Sequence, residues 1–201
     1  MTIRAVIFDI GNVLVRWDPR YLYQHLIEDE EELEHFLSDV VTLEWHTAHD
    51  AGLPMVEGVR RLSEQHPHYA ELIDEFRTRW FDTIGDNIKG SIKTLEQLHK
   101  NNVPLFALTN FSAETFPRFA RENDYMRLFK DVLVSGEVGL VKPDPRIFEL
   151  AVQRFSIDPA STLFIDDRLA NVEAAQKKGL QTHLFEDPQN LEDELRRFGL
   201  I

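Results

Sequence analysis

Apolar residues along this chain follow two rhythms. Four compact runs, Ala5–Phe8 (AVIF), Pro104–Leu108 (PLFAL), Val132–Val134 (VLV) and Thr162–Ile165 (TLFI), lack apolar–polar alternation. Such runs predict strands covered on both faces, as in a parallel sheet. Thr182–Phe185 (THLF) is a weaker fifth. Helix-length segments lie between them. Ile92, Leu95 and Leu98 recur every three residues within 88–101, and 113–123, 145–155 and 169–178 follow. Gly179 stands where a helix stop is expected. Strand alternating with helix predicts an α/β fold: a three-layer core built on a parallel sheet with right-handed crossovers.

Residues 19–85 break this rhythm. They show no clear strand and read as four or five helices, at 21–27, 30–38, 43–51, 54–65 and 69–81. Roughly 95 residues then separate the first strand from the next, too many for one crossover. The expectation is an α-helical subdomain at 17–85 inserted into a core made of 1–16 and 86–201. No internal repeat or low-complexity segment is present.

Composition narrows the chemistry. The chain has 201 residues with 43% apolar and 28% charged positions, which suits a globular domain. Its formal net charge of -13 disfavours nucleic acid and anionic membrane surfaces as partners. The absence of cysteine excludes disulfides, a thiolate nucleophile and Cys-ligated metals. No apolar run approaches the roughly 20 residues of a membrane span. Met1–Arg4 leads into the first strand without a signal-peptide pattern, so the expected compartment is the cytoplasm.

In an open parallel sheet, ligands bind beyond the carboxyl ends of the strands. Asp9-Ile10-Gly11-Asn12 follows the first strand, Thr109-Asn110 the second, Lys142-Pro143-Asp144 lies beyond the third, and Asp166-Asp167 follows the fourth. Any one of these residues could be a turn or cap. Together they place three carboxylates, a hydroxyl, an amide and a lysine on one rim. Asp9, Asp166 and Asp167 against Lys142 sum to -2, which a divalent cation neutralises. Oxygen donors without His or Cys suit Mg²⁺. Asp166 or Asp167 could also cap the helix beginning near Leu169.

These four stretches resemble the four motifs of the haloacid dehalogenase (HAD) superfamily, in order: Val6–Leu14 the first, Leu108-Thr109-Asn110 the second, Lys142–Pro145 the third, and Phe164–Asp167 with Asn171 the fourth. The resemblance implies a Rossmann-like core whose helical insert is a cap over the active site. It implies a phosphatase in which Asp9 attacks phosphorus and becomes an aspartyl-phosphate. Mg²⁺ would be held by Asp9, the Gly11 carbonyl, Asp167, and Asp166 directly or through water. Thr109, the Asn110 backbone amide and Lys142 would hold the phosphate, with Lys142 also contacting Asp9. The Asp-x-Gly-Asn form of the first motif resembles a sugar-phosphate phosphatase branch that includes α-glucose-1-phosphate phosphatase. The expected partner is a small phosphorylated metabolite, and the chain is read as a monomer or homodimer.

One position departs from the family pattern. The usual first motif carries a second Asp two residues after the nucleophile, which protonates the leaving group and then activates water. Here that residue is Gly11. General acid–base catalysis is typically worth about 10²–10⁴-fold, so three readings follow. Asp18, at the hinge into the cap, stands in, although with Pro19 it also reads as a helix cap. Alternatively, a good leaving group or unassisted water suffices. Or the activity has changed, as in the metal-free 2-haloacid dehalogenases, which also lack this Asp. A non-catalytic module binding a phosphorylated ligand is a further alternative. In the cap, His46 and His49 lack a third ligand nearby and read as solvent-exposed helix residues. Trp17 and Trp45 read as packing that could also shape a sugar pocket. Glu28–Glu32 reads as a solvated helix start and Glu192–Arg197 as an exposed, ion-paired helix.

Overall fold

The computed structural model describes residues 2–201. The chain opens with β1 (Ala5–Phe8) and β2 (Val15–Trp17). A helical stretch follows: α1 (Arg20–Tyr23), α2 (Glu30–His35), α3 (Leu43–Asp50), α4 (Met55–Gln65) and α5 (Ala70–Arg79). Next come β3 (Ile84–Asn87), α6 (Lys89–Lys100), β4 (Leu105–Thr109), α7 (Phe116–Glu122), β5 (Asp131–Val134) and α8 (Ser135–Val138). The chain closes with α9 (Pro145–Phe155), β6 (Thr162–Asp166), α10 (Leu169–Lys177), β7 (Gln181–Leu184) and α11 (Pro188–Arg197).

Five strands form one sheet in the order β5-β4-β1-β6-β7, with every neighbouring pair parallel. All residues of β1, β4 and β6 are buried, as unalternating apolar runs require. Val6 and Phe8 point into one apolar cluster with α6 and α11; Ala5 and Ile7 point into the other with α9 and α10. The result is the expected three-layer α/β core. α9 shows how one helix is specified. Asp144 accepts from the Arg146 amide at its start, and Pro145 occupies the first turn. Ile147, Phe148, Ala151 and Phe155 then form one buried stripe. Burying a side chain such as Phe148 is worth about 1.5–3 kcal/mol.

The region without a predicted strand carries two at its ends. β2 and β3 pair antiparallel, with Val15 opposite Asn87 and Trp17 opposite Ile84. β3 reads Ile-Gly-Asp-Asn and is half to fully exposed, so it offers no apolar run to detect. The expected boundaries at 17 and 86 fall within this ribbon. Two predicted helices are also shorter: 21–27 reduces to α1, and 30–38 reduces to α2 followed by a π turn at Phe36–Val40. The helical stretch shares its apolar cluster with the sheet, through Leu22, Phe36, Ile73, Phe76 and Trp80. α11 buries Leu191 and Leu195 completely while its Arg–Glu pairs face outward. It is thus amphipathic rather than exposed all round. Among the described residues, no helix is long and apolar enough to cross a membrane.

Candidate active site

The carboxyl ends of β1, β4 and β6 meet at one rim. Asp9 directly follows β1, Thr109 ends β4 before Asn110, and Asp166 ends β6 before Asp167. Lys142 enters on the loop between α8 and α9 and is almost wholly buried. Its ammonium lies 2.9 Å from Asp9 Oδ1 and 2.7 Å from Asp166 Oδ2, and donates to the Leu108 carbonyl at 2.9 Å. Three partners match its three hydrogens. Burial works against the Lys142 charge, but Asp166 and Asp9 outweigh it and hold its pKa above the usual value.

Neighbouring side chains fix these groups. The Lys142 amide donates to Asn110 Oδ1 at 2.8 Å, and Asn110 Nδ2 donates back to the Lys142 carbonyl at 3.0 Å. Asp166 accepts from Asn171 Nδ2 at 2.9 Å and from the Arg168 amide at 2.9 Å. Asp9 Oδ1 accepts from the Ile10 amide at 2.7 Å.

Asp9, Asp166 and Asp167 each present a carboxylate oxygen, all within 4.8 Å of one another. Burial raises the Asp9 pKa to about 8; Lys142 opposes this, while Asp166 and Asp167 add to it. Burial and then Asp166 raise Asp167 as well. Burial and the neighbouring carboxylates thus disfavour the ionised form of Asp9 in the absence of a cation. An all-oxygen donor set carrying this uncompensated repulsion fits a hard divalent cation.

A cavity of about 310 Å³ opens over this cluster. Its polar part includes Asp9, Gly11, Asn110, Lys142, Asp167 and Asn171. Its other wall comes largely from the helical stretch and the ribbon: Trp17, His46, Asp50, Met55, Phe76 and Trp80. A Cβ added at Gly11 would meet no atom within 4 Å. Packing therefore does not demand glycine there. Thr109 and Asp166 are buried beside the rim and are not among the cavity-lining residues. Asp18 accepts from the Arg20 amide at 2.8 Å, caps the turn into α1 and is likewise absent from the lining. Trp17 lines the cavity, whereas Trp45 lines a separate groove. Asn12, quoted in the first motif, also lines the cavity; sequence reasoning passed over Asp50, Phe111 and Arg168, none of which belongs to an apolar or charge pattern that would single it out.

The expectation of exposed histidines is overturned. His46 and His49 are 4% and 1% exposed. The His46 ring lies 5.4 Å from Trp17, 5.1 Å from Trp45 and 4.8 Å from Phe76, and burial pushes its pKa down to about 3. His49 Nδ1 bonds the Leu53 carbonyl at 3.0 Å. Its ring fills the space beside Gly58, where a Cβ would sit 2.1 Å from the imidazole. The sequence of α3, LEWHTAHD, has no apolar stripe; aromatic rings from α5 and β2 bury its histidines instead.

The structure thus joins a five-stranded parallel sheet to a lysine-bridged carboxylate cluster at its carboxyl edge. Residues 3–179 match the family model for haloacid dehalogenase-like hydrolases, and the chain belongs to that family. Among curated relatives, it is 26% identical to sesquiterpene phosphatase astK of Aspergillus oryzae, covering 89% of this chain and 88% of that protein. It is 25% identical to a phosphorylated carbohydrates phosphatase of Thermotoga maritima, covering 88% and 82%. It is also 25% identical to drimenol cyclase drtB of Aspergillus calidoustus, of which it spans only 36%. The magnesium complex of the HAD family enzyme bt-2542 from Bacteroides thetaiotaomicron shares the fold, with a TM-score of 0.74 and 20% identity over 98% of this chain and 100% of that one.

Proposed function

We propose that this hydrolase is a magnesium-dependent phosphatase, acting on a small phosphorylated metabolite through an aspartyl-phosphate at Asp9. The observation that carries the reading is the buried Lys142 ammonium bridging Asp9 and Asp166, with Asp167 beside them. Asp9, Asp166, Asp167 and the Gly11 carbonyl are assigned to the metal. When bound, Mg²⁺ supplies positive charge that keeps Asp9 ionised and offsets its repulsion from the phosphate.

The remaining work falls to the chain. An ionised Asp9 oxygen attacks phosphorus, and Lys142 orients that carboxylate while offering charge to the phosphoryl oxygens. Thr109 and the Asn110 backbone amide are assigned to the same oxygens, and Asn171 keeps Asp166 in place. Residues 17–85 act as a cap, a role supported by their share of the cavity wall. That wall is largely apolar, so the organic group of the substrate presents a nonpolar face. A sugar phosphate, as cleaved by the Thermotoga relative, and a terpenyl phosphate are both of suitable chemistry. The protein is assigned no nucleic-acid or membrane partner and works as a monomer or homodimer.

The test is phosphate release from a panel of metabolite phosphates. Activity should require Mg²⁺, stop with EDTA and vanish in Asp9→Asn. Unchanged hydrolysis in that variant would remove the nucleophile and the reading with it. Halide release from 2-haloacids in EDTA would instead favour a metal-free dehalogenase.

A further inference from the structure

The family's usual acid/base position is Gly11, and Asp18, one candidate to replace it from the hinge, instead accepts from the Arg20 amide at the start of α1. We propose that Asp50, at the end of α3, donates the proton to the leaving oxygen and then accepts one from the attacking water. This rests on the phosphatase reading.

Four observations support it. Asp50 lines the same cavity as Asp9, Gly11 and Lys142. Its carboxylate makes no hydrogen bond or ion pair among the described residues, so it is uncommitted. Its backbone, by contrast, is held: the Ser135 hydroxyl donates to the Asp50 carbonyl at 2.6 Å and accepts from the Phe111 amide at 2.9 Å. One hydroxyl thus ties Asp50 to the residue following Asn110, on the phosphate side of the cavity. Finally, burial raises the Asp50 pKa to about 7 against the opposing charge of Lys142. A group poised near neutrality suits transfer in both directions.

The other titratable groups of the cap wall fit less well. His46 is held neutral by burial among aromatic rings, and a neutral imidazole is a poor acid. His49 spends Nδ1 on Leu53.

The chemistry balances in two steps. An Asp9 oxygen bonds to phosphorus as the bond from phosphorus to the alcohol oxygen breaks. The departing oxygen takes the Asp50 proton, leaving an alcohol and an Asp50 carboxylate. Water then attacks phosphorus and loses a proton to Asp50 as the bond to Asp9 breaks. Inorganic phosphate leaves, and both side chains return to their starting forms.

The experiment compares wild type with the isosteric Asp50→Asn on two substrates with Mg²⁺: an alkyl phosphate and 2,4-dinitrophenyl phosphate, whose leaving group needs no proton. Asp50→Asn should lose about 10²–10⁴-fold in kcat/KM on the alkyl ester. Its dinitrophenolate burst should slow by less than tenfold, followed by slow turnover and a trapped phospho-Asp9 detectable by mass spectrometry. Asp50→Ser should behave alike, which separates proton transfer from a folding defect. Adding Gly11→Asp to Asp50→Asn should restore at least tenfold on the alkyl ester, because the space beside Gly11 is open. Wild-type alkyl turnover in Asp50→Asn, or equal losses on both substrates and in the burst, would overturn the assignment. A wild type inert towards every phosphate ester would instead overturn the phosphatase reading on which it stands.

Discussion

Replacing the nucleophile should stabilise the metal-free protein. The Asp9 pKa is raised from 3.8 to about 8, chiefly by burial. The folded chain therefore binds a proton that the unfolded chain releases, and stability falls as pH rises from about 4 to about 8. Each pH unit between 3.8 and 7 is worth about 1.4 kcal/mol, which sets a ceiling of about 4 kcal/mol at pH 7. Asp9→Asn keeps the shape and removes the titration, but weakens the 2.9 Å contact with Lys142. A charged hydrogen bond of this kind is worth about 1.5–3 kcal/mol, so the expected net gain is about 1–2 kcal/mol. The assay is urea denaturation at pH 7 in EDTA, repeated at pH 5, where the difference between the two proteins should shrink. Magnesium at 100 times its dissociation constant should then add about 2.7 kcal/mol to wild type and distinctly less to the variant. An Asp9→Asn protein no more stable than wild type at pH 7 in EDTA would refute the claim that Asp9 resists ionisation in the fold.

Lys142→Met leaves Asp9 and Asp166 facing each other without their shared cation; unfolding should be easier by about 3–5 kcal/mol at pH 8, read by denaturant titration. Gly58→Ala drives a methyl into the His49 imidazole and should cost about 1–3 kcal/mol, seen as a lower Tm. The His46 pKa is depressed from 6.5 to about 3 by burial, so the folded chain refuses a proton that the unfolded chain takes up. Its stability should fall as pH drops below about 6.5, and His46→Leu should flatten that slope in denaturation curves between pH 4 and 7.

How much of this was legible in the sequence depends on how each signal arises. Strands buried on both faces announce themselves as unbroken apolar runs, and β1, β4 and β6 did so. Topology then brings their carboxyl ends to one rim, so Asp9, Asn110 and Asp166-Asp167 could be gathered from order alone. β3 stayed hidden because a ribbon strand reading Ile-Gly-Asp-Asn buries no face of its own. His46 and His49 were misjudged because the rings that bury them come from Trp17 and Phe76, far off in sequence. Asp50 carried no pattern at all; only the fold brings it to the cavity that Asp9 and Asp167 line.

The exchange of hydrogen bonds between the Asn110 amide and both backbone groups of Lys142 has a consequence for any redesign. A side chain here imitates a rung of sheet, extending the order of β4 into a loop that has no strand to lean on. Transplanting the lysine loop into another scaffold would require carrying the asparagine along. Exchanging Asn110 for aspartate would turn a donor into a second acceptor and set the cationic loop adrift.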